Sequence, residues 1–387
     1  MAINLNRNLI EEFRDKVNER PIFQEKLRNV KGKNHWNVIC SAMDWISVAA
    51  EGLPAINLEK PKGMGYDHLD TINLMQYIIT VDILVESITQ LFRVIDGTNS
   101  HPLSKNSEIF KQSKLSDDDY FKHIRAVFST HPVNLKSVDG VKREDGERFF
   151  ASWVARSGVT LSGPNDFYVL LYSNDPKKDQ VNPLGIKVED INLYAEKRYK
   201  LLENLIKKVD HINTEHLNSS KQSIIPTVTD PVEQLKILSD ENKKRFGTNF
   251  GYGSGIQYLY RLLKVNISSI VEDPDKAVIN EYRSFMLSLI PDIKDGLQDM
   301  TLKKIHWKRP YKGYTFQKVY TYFADREHPI GEAYFNKLVE KGFLSSLLAT
   351  CEDFDLKQLV MDAYLHKKST EVGRPLSFEE FEDLINS

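Results

Sequence analysis

Apolar residues at alternating steps of three and four dominate the first hundred positions. From Trp36 they fall at Ile39, Met43, Ile46, Ala50 and Leu53, one face of an amphipathic helix closed by Gly52 and Pro54. A second run through Leu74, Ile78, Val81, Val85, Ile88, Phe92 and Ile95 predicts another long helix, with Gly97 just past its end. The polar Pro/Gly segment 60–65 between them suits neighbouring helices of a bundle. Positions 72–95 form the most apolar long stretch, but Gln76, Asp82, Glu86, Gln90 and Arg93 interrupt it, so it reads as a buried helix and not a membrane span.

Ser116 followed by Asp117, Asp118 and Asp119 predicts a third helix start, because carboxylates there oppose the macrodipole. That helix runs to about His131, where Pro132 disfavours continuation. Two β-branched and aromatic runs, 148–154 and 167–172, flank Ser162-Gly163-Pro164-Asn165 and predict a β-hairpin inserted between helices. Ile191, Tyr194, Arg198, Leu201, Leu205, Val209 and Ile212 then mark one long helix. The fold expected for 1–212 is therefore a helical bundle with a β-hairpin insertion near 148–172. A polar stretch ending at Pro226 suggests a linker over 213–229. Beyond it, 230–387 reads as a second, mostly helical domain. Its helices open at Asp230-Pro231 and Asp273-Pro274, where an acid precedes a proline that can take the first helical position. The loop 247–255 lies between them, and shorter helices come after at 331–349, 355–367 and 377–386.

With 387 residues, 41% apolar and 27% charged, the chain is a globular protein of two or three domains. A net charge of −2 means that nucleic acid could be attracted only by a local patch. Cys40 and Cys351 are the only cysteines, too few for a structural zinc site or a disulfide framework, so a reducing, cytoplasmic setting is expected. Positions 1–13 carry Arg7, Glu11 and Glu12 without an apolar core, and read as neither signal peptide nor anchor. His123, His131, His211 and His216 form no closed metal pattern, so neither metal nor cofactor is expected. Gly251-Tyr-Gly-Ser-Gly255 lacks the Lys-Ser/Thr that a P-loop requires.

The segment Asp119-Tyr-Phe-Lys-His-Ile-Arg125-Ala-Val-Phe-Ser129-Thr-His131-Pro132 carries candidate chemistry. On a straight helix Phe121, Ile124 and Phe128 form one apolar stripe, with Arg125 and His131 on its two flanks, ~120° apart, and this stripe is expected to be the seam along which two subunits pair. Ser129 lies one turn beyond Arg125. Histidine can move protons near neutral pH, and arginine can hold the charge that builds on a phosphate attacked by a ribose 2′-hydroxyl. This pattern, Arg125 and His131 with five residues between them and polar Ser129 in the gap, resembles the signature of the HEPN family. The two long helices before it are similar to that family's all-helical bundle, and the resemblance covers roughly 35–212. It implies a metal-independent endoribonuclease whose site is completed by the same residues of a second subunit, hence a homodimer. In such a site Arg125 holds the scissile phosphate, His131 does acid–base work and Ser129 assists positioning. It also implies an effector of toxin–antitoxin or phage-defence type, restrained by a regulatory protein partner until triggered. Arg28 and His35, with six residues between them, are a second formal match, but Lys31, Gly32 and Lys33 read as a loop.

A structural reading of the same residues stays open. Arg125 could pair with Asp118 or Asp119, and His131 could cap a helix end. The chain would then be a non-catalytic helical scaffold that dimerises and binds a partner.

In the second domain, 303–323 carries Lys303, Lys304, Lys308, Arg309, Lys312 and Lys318 with no acid among them. Trp307, Tyr311, Tyr314, Phe316, Tyr320, Tyr322 and Phe323 are interleaved with them. Cations alternating with rings could hold single-stranded RNA, with Lys303, Lys304, Lys308, Arg309, Lys312 and Tyr314 as contacts. A half-buried hairpin with its rings turned inward is the alternative.

Overall fold

Two long helices set the frame of the first half of the molecule: α3 (His35–Gly52) packs along α4 (His68–Leu91). In the computed structural model, which describes residues 3–58, 68–111, 113–141, 147–156, 164–177, 181–267, 273–305 and 313–386, the chain is mainly helical with one small antiparallel sheet. It divides into two units, Met1–Thr214 and Glu215–Ser387. Among the described residues, no helix is long and apolar enough to cross a membrane.

The N-terminal unit opens with α1 (Arg7–Asn18) and α2 (Ile22–Leu27). Between α2 and α3, Val30 and Lys33 pair across a turn whose two central residues, Lys31 and Gly32, are left-handed, so the second formal Arg/His match brackets a tight turn. Ile39, Met43, Ile46, Ala50 and Leu53 of the first stripe are buried, as are Leu74, Ile78, Val81, Val85, Ile88 and Phe92 of the second. After α4 come a π turn (Phe92–Asp96) ending at left-handed Gly97, and then α5 (Asp117–Arg125).

The predicted hairpin is part of a larger sheet of β1 (Phe149–Ala151), β2 (Ala155–Arg156), β3 (Phe167–Ser173) and β4 (Asn182–Ile186). β1 pairs with 171–173 and β2 with 167–168 of β3, while β4 pairs with 167–171. Since β4 shares β3 partners with both short strands, it lies on the opposite edge. Pro183, which lacks a donor, is tolerated there. Arg156 fastens the sheet to the helices: its Nε and Nη2 donate to the two Asp70 oxygens of α4 at 2.5 and 2.7 Å.

α6 (Val188–Tyr199) and α7 (Leu202–Gln222) replace the single helix expected over 191–212. The break is a tight turn in which Leu201 N donates to the Arg198 carbonyl and Glu203 N to that of Lys200. The expected linker over 213–229 also needs correcting: α7 continues to Gln222, and the division between the units falls inside it.

In the C-terminal unit, α8 (Pro231–Phe246) begins where its Asp-Pro signal predicts, with Asp230 accepting from Val232 N and Glu233 N. Next come α9 (Gly253–Leu263), α10 (Asp273–Gln298), α11 (Tyr314–Asp325), α12 (Pro329–Glu340), α13 (Phe354–Val372) and α14 (Phe378–Asn386). α13 is buried on nearly every side and carries Leu356, Leu359, Val360, Met361, Ala363 and Leu365 into the core. Arg245, at the end of α8, caps the C-terminus of α7 by donating to the Ser220 and Ser223 carbonyls.

Candidate functional site

The acids at the start of α5 do more than oppose its dipole. Ser116 Oγ accepts from Asp119 N at 3.2 Å, an N-cap. Asp117 turns back, and its carboxylate accepts from the backbone N–H groups of Glu108, Ile109 and Phe110. Asp118 accepts from Arg198 Nε and Nη2 at 3.1 and 2.9 Å and from the Tyr194 hydroxyl at 3.0 Å, and His101 Nε2 lies 2.9 Å from its second oxygen. Burial alone would raise the Asp118 carboxyl, but the His101 hydrogen bond, the Arg198 charge and the Tyr194 phenol outweigh it and hold the group below the usual carboxylate range. The Arg198 guanidinium also lies over the Tyr194 ring, 4.1 Å from its centroid. α5 thus starts from a buried ionic lock.

The apolar stripe of α5 is core. Phe121, Ile124 and Phe128 are exposed by 1%, 1% and 2%, and the Phe121 ring stacks on Tyr194 at 4.5 Å. This corrects the expectation that the stripe serves as a seam between subunits: its own unit already covers it.

The helix is not straight through the motif either. After Arg125 the backbone widens into a π turn (Ala126–Thr130), closed by His131 N donating to the Ala126 carbonyl at 2.9 Å. The Arg125 carbonyl instead takes the Ser129 hydroxyl at 3.0 Å and that of Thr130 at 3.4 Å. Ser129 is buried, so its hydroxyl shapes the turn and is not presented to a ligand. π turns recur at functional sites because the extra residue re-aims the side chains beyond it.

Arg125 does not pair with Asp118 or Asp119. Its Nη1 donates to Asp82 Oδ2 of α4 at 2.6 Å, while about a third of the side chain stays open to solvent. Its Nε is enclosed and has no hydrogen-bond partner among the described residues. By contrast, Arg156 and Arg198 of the same unit both engage Nε. His131 is exposed at the end of the π turn, six residues on, and no hydrogen bond joins its ring to Arg125. The segment after it is tied to the sheet: Leu135 and Phe149 exchange backbone hydrogen bonds at 2.9 and 3.0 Å, and Ala151 N donates to the Pro132 carbonyl at 2.6 Å.

The basic-aromatic segment of the second unit is placed differently from the hairpin alternative. Lys308, Arg309 and Lys312 lie outside the described residues. From Tyr314 the chain is helix α11 and not a hairpin, with Val319, Tyr322 and Phe323 in the core. Lys303 and Lys304 are exposed, and so is Tyr314, whose ring has Lys318 Nζ 5.2 Å from its centroid.

Two features escaped the sequence reading. Asp82 stood out only as an interruption of an apolar stretch, and nothing local showed that it faces Arg125. A groove of about 840 Å³ in the C-terminal unit is lined by Tyr258, Tyr260, Arg261, Lys264, Tyr320 and Asp355 among others, and the Tyr258 and Tyr320 hydroxyls both donate to buried Asp362. Its residues come from several helices and share no sequence motif. No protein-family model, curated protein or solved structure matches the chain.

Proposed function

We propose that the chain is a metal-independent endoribonuclease of HEPN type, acting through Arg125 and His131. The observation that carries this reading is the state of Arg125. It is oriented by one short ion pair to Asp82 and keeps about a third of its side chain open to solvent, six residues before an exposed imidazole. A phosphate oxygen is a natural acceptor for a guanidinium held in this way.

In the reaction the ribose 2′-oxygen attacks the adjacent phosphorus and the bond to the 5′-oxygen breaks. The products are a 2′,3′-cyclic phosphate and a free 5′-hydroxyl. Arg125 stabilises the charge on the phosphorane, and His131 takes the 2′-proton or supplies a proton to the leaving oxygen. Ser129 contributes indirectly by holding the turn through the Arg125 carbonyl. The second proton transfer falls to His131 of a second copy, which is the reason to expect a homodimer. Ile72 and Ile79, exposed on α4, lie on one stripe beside Asp82 and suit such a contact. A role as a toxin or phage-defence effector, restrained by a regulatory protein, is supported by the family resemblance alone. The same apolar stripe favours the second reading, a dimerising scaffold without catalysis.

The test is RNA cleavage by the purified full chain in the presence of EDTA, with analysis of the product ends. Cyclic-phosphate or 3′-phosphate ends are expected. His131→Ala should lower the rate by about 10²- to 10⁴-fold while circular dichroism stays helical. Undiminished cleavage by that variant would remove the reading.

A further inference from the structure

We propose that the outward face of the sheet binds the unpaired bases of single-stranded RNA next to the site of cleavage. This inference takes its direction from the ribonuclease reading and adds the class of RNA that the site accepts. Phe150 and Tyr172 are Cα partners across β1 and β3, so their side chains stand side by side on one face. Their neighbours Phe149 and Leu171 point the other way, into the core. The two outward rings are 38% and 45% exposed, and Trp153, just past β1, is 64% exposed. A group of exposed aromatic rings on a sheet this small marks an interaction surface and is not ordinary solvent-facing sheet.

Charge and continuity argue for RNA as the occupant. Arg148 lies two residues before Phe150, on the same side by strand alternation, and makes no ion pair among the described residues. The nearby acids are engaged locally: Glu147 accepts from the Ser173 hydroxyl, and Asp175 accepts from Lys177 N. The edge of β1 away from β3 is bonded to 132–135, which begins immediately after His131. Rings, guanidinium and imidazole are therefore carried on one hydrogen-bonded piece of backbone.

Bases of a single strand can leave their own stack and lie on protein rings, whereas duplex bases cannot, and stacking of this kind tolerates sequence. A strand laid over Phe150 and Tyr172, with a phosphate on Arg148, would lead its backbone toward His131. The face therefore selects unpaired RNA.

The experiment measures binding of the full chain to a short 2′-O-methyl oligoribonucleotide, which lacks the attacking hydroxyl, by fluorescence anisotropy. Single strands should bind better than the matching duplex. Phe150→Leu and Tyr172→Leu keep apolar volume and remove the ring, and each should weaken binding about 5- to 100-fold with the salt slope unchanged. Arg148→Gln should flatten the slope by about one. Equal affinity for duplex and single strand, or unchanged affinity in the double Leu variant, would overturn the proposal. So would a double variant that loses a dimer in light scattering while RNA affinity holds, which would assign the face to a second copy. Binding that depends on both rings, in a protein that never cleaves RNA, would end the ribonuclease reading and leave this one standing. Cleavage that depends on His131 but is indifferent to both rings would do the reverse.

Discussion

The Arg125 guanidinium donates to the Asp82 carboxylate at 2.6 Å, tying the last turn of α5 to the middle of α4. Both side chains are roughly one-third exposed, so water screens the pair and its share of fold stability is on the order of 0–1 kcal/mol. Its consequence is orientation. A guanidinium pinned at one nitrogen cannot swing freely, and the remaining donors keep a fixed direction.

Asp82→Asn should therefore leave thermal unfolding within about 2 °C of the parent while slowing RNA cleavage about 10²-fold, the cost of a reacting group misplaced by roughly an ångström. Melting and single-turnover cleavage, measured side by side, decide it. A large loss of melting temperature would make the pair a structural strut.

The lock at the other end of α5 should behave in the opposite way. The Arg198 side chain is 1% exposed and that of Asp118 13%. Arg198→Leu would leave the Asp118 carboxylate buried without its main cation, at a cost of about 3–5 kcal/mol. Urea unfolding should show that loss, and adding Asp118→Asn to the same chain should recover part of it. A single variant within about 1 kcal/mol of the parent would mean that water or a neighbour compensates.

His123 gives the N-terminal unit a sensitivity to acid. Burial pushes its imidazole below the usual value, and the Val138 carbonyl, 2.9 Å from Nε2, with the charge of Asp139, offsets that only in part. The unfolded chain then binds this proton more readily than the folded one. The stability concerned is complete above the unfolded value of about 6.5 and is lost as pH falls through the lower folded value. His123→Gln can keep a donor toward Val138 but does not titrate. Its melting temperature should fall less than the parent's between about pH 7.5 and about pH 5.5. Parallel curves would assign the acid sensitivity to other groups.

Where a local pattern determined the outcome, the sequence could be read. The stripes of α3 and α4 are buried almost residue for residue, and the caps at Ser116 and Asp230 bond as their types dictate. The failures share a cause: each was decided by contacts distant along the chain. Polarity over 213–222 suggested a linker, but polar residues can also cover the solvent side of a helix, and α7 continues through them. Alternating rings after Lys303 looked like a strand, yet Val319, Tyr322 and Phe323 fall at helical spacing and turn into the core. Arg125 and His131 were visible as residue types. The partner of Arg125 lies 43 positions away, and the π turn between Arg125 and His131 has no local signature.

The part of the basic segment that remains open to solvent can be tested without disturbing the fold. Lys303 and Lys304 are exposed, and the Tyr314 ring is 56% exposed. If they are auxiliary RNA contacts, Lys303→Ala with Lys304→Ala should flatten the salt dependence of RNA binding by about two. Tyr314→Ala should lower affinity with little change in slope, because stacking releases no counterions. Unchanged affinity and slope in all three would confine RNA to the first unit.

The apolar stripe of α5 is not available for assembly. Phe121, Ile124 and Phe128 are already covered, so a second copy would need another apolar surface. On α4, Ile72 and Ile79 share an exposed stripe, with Asp82 about 60° around the helix from Ile79. An isologous contact there would bring two Asp82–Arg125 pairs toward one axis, the arrangement that a two-histidine mechanism requires. Ile72→Asp with Ile79→Asp places like charges in that contact and alters no core position. Light scattering should show the parent as a dimer and the variant as a monomer with unchanged helical content. Cleavage should fall with dimer content as the protein is diluted. A parent that is monomeric and fully active would require one histidine to serve both proton transfers in turn, and the composite site would be abandoned.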